Sequence, residues 1–80
     1  MTPALLAEDA LIFGLRMNEG VDVAAWRARV PAAPWPAVAT LLTRLADEGL
    51  AVWGDGRVSL TGRGRLVADA VGAELMTAFA

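Results

Sequence analysis

Eighty residues, 56% of them hydrophobic with a mean hydropathy of +0.48, suffice for one small domain with a dense core and apolar surface to spare. The absence of Cys and His excludes disulfides, thiolate metal centres and any Ser–His or Cys–His nucleophile. Seven Arg, no Lys and nine acids give a net charge of −2, without the basic excess of a nucleic-acid binder. No apolar run approaches the roughly 18 residues of a membrane span, and the N-terminus lacks a signal-peptide pattern, so a cytoplasmic location is expected.

The first predicted helix is "ALLAEDALIFGLRM", with Thr2 as N-cap and Pro3 at the first helical position. Helical spacing puts Leu5, Ile12 and Leu15 on one side and Leu6, Phe13 and Met17 on another, with Asp9 and Arg16 nearly in line between them. Two readings stand: a central helix packed on several sides, or a helix with one side docked on another domain. "NEG" (Asn18 to Gly20) ends the helix, Gly20 being suited to a positive-φ turn. "VDVAAWRARV" is a short second helix capped by Asp22, with Val21 and Trp26 spaced as a hydrophobic staple. "PAAPWP" is a loop or a helix start.

A third helix is expected from Pro36, its buried stripe Val38, Leu41, Leu42 and Leu45, ending in a Schellman turn at Gly49 and Leu50. Ala51–Trp53 and Arg57–Leu60 flank Gly54-Asp55-Gly56 as a hairpin. Thr61 then caps one last helix to about Thr77, expected to bury Val67, Val71 and Leu75 with help from Leu66 and Ala70. Three helices, a two-stranded wing and a closing helix predict a mainly α fold with a small β hairpin: a single winged-helix (winged helix-turn-helix) domain over residues 1–80. Trp26, Trp35 and Trp53 are its largest packing pieces.

"LTGRGR" (Leu60 to Arg65) invites a phosphate-loop reading, but it lacks the Gly-x(4)-Gly-Lys of a P-loop and the third Gly of a dinucleotide fold. It reads better as a strand-to-helix joint, with Gly64 admitting a close neighbour and Arg63 and Arg65 reaching solvent or a partner's acids. DNA binding through the third helix would use Thr40, Thr43 and Arg44, yet Asp47 and Glu48 oppose it and the wing sets Arg57 against Asp55. Glu8, Asp9, Glu19 and Asp22 are read as caps or solvated charges rather than catalytic carboxylates. No catalytic, cofactor-binding or metal-ligating residue is assigned.

Two phrases carry a resemblance. "EDALIFGLRMNEGVDVAAW" (Glu8 to Trp26) contains Gly-Leu-Arg-x(3)-Gly-Val-Asp, and "LADEGLAVWGDGRVSLTGRGRLVADAVGAEL" (Leu45 to Leu75) contains Leu-Thr-x-x-Gly-Arg and Asp-x-Val. Together they resemble the C-terminal domain of the oxygen-independent coproporphyrinogen III oxidases and their heme-chaperone relatives, which are radical S-adenosylmethionine proteins. The resemblance implies an accessory module excised from a larger protein, with no chemistry of its own. The parent's 4Fe-4S cluster and S-adenosylmethionine would be held by a Cys-x(3)-Cys-x(2)-Cys motif in a preceding partial (β/α) barrel, and that barrel would be this domain's partner. Leu6, Phe13, Arg16 and Met17 are the residues expected to dock on it. A free-standing DNA-binding winged helix and a protein-binding adaptor remain the alternatives.

Overall fold

The computed structural model describes residues 2–17 and 19–79. Helix α1 (Pro3–Leu15) starts where expected: the Thr2 side chain accepts from the Leu5 N–H at 3.2 Å. Its buried face is Ala7, Leu11 and Leu15. The side grouped by helical spacing as Leu5, Ile12 and Leu15 is divided by the fold: Leu15 is buried, Ile12 half-buried and Leu5 45% exposed. Apolar residues occur all round α1, so its pattern alone does not select the inward face.

Gly20 (φ +74°) turns the chain so tightly that a Cβ there would sit 2.2 Å from the Val58 carbonyl oxygen. Asn18 lies outside the described residues. Val21–Asp22 then form β1, an element that the cap-and-staple reading of those residues did not anticipate. Strand β1 pairs antiparallel with β3, Val21 opposite Val58 and Asp22 opposite Arg57. Asp22 still caps α2 (Val23–Arg29), accepting from the Ala25 N–H at 3.0 Å.

Helix α3 (Trp35–Asp47) begins one residue before Pro36. Pro36 falls in the first turn, where its missing N–H costs no hydrogen bond. Buried Trp35 donates its indole N–H to the Val30 carbonyl at 2.7 Å, which ties the proline-rich loop to the end of α2. The stripe Val38, Leu41, Leu42 and Leu45 faces the core as expected. Its end is a complete Schellman motif: the Gly49 N–H donates to Ala46 and the Leu50 N–H to Leu45, with Gly49 at φ +76°.

The hairpin joins β2 (Ala51–Gly54) to β3 (Arg57–Leu60) through a two-residue turn. Asp55 (φ +53°) and Gly56 (φ +77°) are both left-handed, the type I′ arrangement that matches strand twist. The sheet is three-stranded and antiparallel, in the order β1-β3-β2.

Instead of one closing helix there are two, α4 (Gly62–Leu66) and α5 (Ala68–Phe79). Helix α4 is held at Thr61 and Gly64, α5 by Val71 and Leu75 in the core, and Val67 between them leaves helical backbone angles (φ −118°, ψ 28°). Leu66, Val67 and Ala70, expected to help fill the core, are therefore exposed, Leu66 at 86%. Helix α5 lies on α1 and α3, its Phe79 ring edge-on to Trp35 at 6.2 Å. The fold is mainly helical with a small sheet.

Thr61 carries the joint between sheet and α4. Its hydroxyl accepts from the Gly64 N–H at 3.1 Å and donates to the Gly49 carbonyl at 2.7 Å, linking the α4 cap to the α3 terminus. Thr61→Ala removes both bonds and is expected to cost about 1–2 kcal/mol, read from urea unfolding.

Candidate functional site: an exposed apolar face on the first helix

No group of three or more Asp or Glu side chains positioned to hold a metal ion occurs among the described residues. No helix there is long and apolar enough to cross a membrane. The notable surface feature is α1. Away from its buried face, Leu6 (49%) and Phe13 (74%) stand exposed, as does Met17 (62%) just past the helix end, and Leu5 is exposed as well. Three of the four residues expected to dock on a neighbouring domain are thus apolar and open to solvent.

The fourth, Arg16, is engaged within the chain: its Nη2 donates to Asp69 Oδ1 at 2.9 Å. The pair is exposed, so its net contribution to stability is small, but it lays the guanidinium along the α1–α5 seam. Arg16 also joins the two phrases singled out in the sequence, since Asp69 lies in the second. A shallow cleft of about 160 Å³ lined by Ile12, Phe13 and Arg16 opens beside this seam.

Other residues of those phrases hold the scaffold together. A Cβ at Gly14 would lie 2.1 Å from Val21 Cγ2, and one at Gly64 would lie 1.9 Å from the Leu50 carbonyl oxygen. Asp22 caps α2 and pairs with Arg57 Nη1 at 3.9 Å. The glycine-punctuated "LTGRGR" is accordingly a packing joint.

The cations that a DNA-reading surface would need are offset. Arg44 bonds Glu74 on α5 and approaches Glu48 at 3.7 Å. Arg57 faces Asp22 rather than Asp55 and donates to the Glu19 carbonyl at 3.0 Å. The Thr40 hydroxyl donates back to the Pro36 carbonyl at 2.9 Å, a local helix bond. Arg29 stacks over the Trp26 ring at 4.6 Å. Around α3 and the wing, where a winged helix would meet a duplex, no group of unpartnered arginines emerges among the described residues, and the geometry there does not favour nucleic acid.

A small helical scaffold whose sequence phrases serve turns, caps and close packing, with an apolar helix face exposed and no reacting groups gathered among the described residues, has the character of an accessory domain. Comparison with known families agrees: the model of the HemN C-terminal domain matches residues 1–67, and the chain belongs to that family. No curated protein and no solved structure matches the chain. The match runs through β3 and α4 and stops before α5. The family is a non-catalytic part of radical S-adenosylmethionine proteins, which implies a 4Fe-4S cluster and S-adenosylmethionine in a parent protein. The cluster needs thiolate ligands, and this chain, having no Cys, supplies none.

Proposed function

We propose that this chain is the winged-helix C-terminal module of a cytoplasmic coproporphyrinogen III oxidase-like or heme-chaperone radical S-adenosylmethionine protein. In this reading α2 and α3 form the helix pair, the β2–β3 hairpin is the wing, and the module packs against the catalytic barrel without reacting groups of its own. Family membership supports the assignment. The observation that carries the docking is that Leu6 and Phe13, with Met17 just past the helix end, are left uncovered beside a helix whose other side is deep in the core. Arg16, held at its edge by Asp69, would contribute a polar rim contact.

Phe13→Asp tests this. Because Phe13 is 74% exposed, the substitution should change the unfolding free energy of the isolated domain by no more than about 0.5 kcal/mol. It should weaken binding to the separately produced barrel at least about tenfold in titration calorimetry. Destabilisation of the isolated domain large enough to account for lost binding would make Phe13 a core residue and overturn the docking assignment.

A further inference from the structure

We infer that the exposed face of α1 is self-complementary, and that the domain separated from its barrel pairs with a second copy of itself through this helix. Asp9 and Arg16 are seven residues apart on α1 and its cap, two turns of helix, so they project on nearly the same side. Phe13 stands between them, with Leu6 one turn before Asp9 and Met17 one turn after Phe13. In an antiparallel pair related by a two-fold axis near Ile12–Phe13, Asp9 of each copy meets Arg16 of the other. Leu6 of one copy then lies near the exposed Met17 just past the other copy's α1, offset from it by about two residues along the helix. The cleft lined by Ile12, Phe13 and Arg16 lies at the axis, where the other copy's Phe13 ring can enter.

Charge selects this register. A parallel pair would set Asp9 against Asp9 and Arg16 against Arg16. Asp9 is exposed and makes no ion pair or hydrogen bond among the described residues, whereas Arg16 has only the exposed Asp69 and retains unused donors. The face is one helix wide, less than the roughly 800 Å² per partner of a standard interface, so the association is weak and reversible. It uses the surface assigned to the barrel, so one copy cannot do both at once. Because the test is made without the barrel, its failure leaves the docking assignment standing.

Sedimentation equilibrium on the 80-residue chain up to about 1 mM reads the association directly. Wild type should show a monomer–dimer equilibrium, and Phe13→Asp should be monomeric with an unchanged circular dichroism spectrum. D9R alone and R16E alone should each weaken dimerisation at least about tenfold, since each homodimer faces like charges. Mixed one to one they should associate again. The arginine introduced in one copy then meets the glutamate introduced in the other, while the native Arg16 of the first meets the native Asp9 of the second. A monomeric wild type at the highest concentration overturns the inference, and so does a mixture that associates no better than its components.

Discussion

Alanine at Gly64 is expected to destabilise the domain by about 1–3 kcal/mol, although it adds a single methyl group to a helix. Helical propensity alone would favour the change by up to about 1 kcal/mol. Packing reverses the sign: the new Cβ would lie 1.9 Å from the Leu50 carbonyl oxygen and 2.9 Å from its carbon, both backbone atoms that no rotamer change can move. Leu50 is fixed on both sides, its N–H bonded to Leu45 and its carbonyl to the Thr61 N–H. Accommodation therefore means lifting α4 away from the start of β2. Gly62→Ala, two residues earlier, is the control: nothing lies within 4 Å of its Cβ, so that variant should be neutral or slightly stabilised. Urea unfolding of the two variants side by side decides the point; equal midpoints would contradict the packing described for this joint.

Leu75→Ala should have a larger effect, about 2–5 kcal/mol, enough to unfold much of the population of a domain this small. Leu75 is fully buried on α5, a helix beyond the family match that packs on both α1 and α3. Burial of this kind makes α5 a part of the core rather than an appendage. The ion pairs that bring it to its neighbours, Arg16–Asp69 and Arg44–Glu74, are exposed and together contribute far less than one buried leucine. Thermal unfolding of Leu75→Ala beside Met76→Ala, whose side chain is 57% exposed, separates the two cases. A Leu75→Ala domain as stable as Met76→Ala would mean that α5 is dispensable to the core.

The elements that local chemistry dictates were legible in the sequence. Thr2, Asp22 and Thr61 each cap the helix they precede, Gly49 and Leu50 end α3, and Asp55-Gly56 turns the hairpin. Each depends on a few adjacent residues, so no tertiary partner is needed to see it. The α3 stripe was equally clear, because its polar and apolar residues segregate. Three features were not. Strand β1 is two residues long and exists only by pairing with β3, which follows it only after α2, α3 and β2. The break at Val67 follows from two anchors, Gly64 at Leu50 and Val71 in the core, that no local pattern reports. On α1, leucines point both inward and outward, and only the arrival of α5 and the sheet decides that Leu11 is buried while Leu5 is not. The stripe Leu6, Phe13 and Met17, proposed above as a docking surface, was visible as spacing, and its exposure came only with the fold.

Membership of the family makes one physical fact decisive: whether the domain exists joined to a catalytic barrel. The measurement is the mass of the native protein, found with an antibody against this domain in its source cells and followed by peptide sequencing of the band. The expected band is a chain larger than 8.4 kDa by a barrel of about 250 residues, with a Cys-x(3)-Cys-x(2)-Cys peptide upstream. A band at 8.4 kDa would contradict that expectation, leaving a free-standing domain whose α1 face serves another partner.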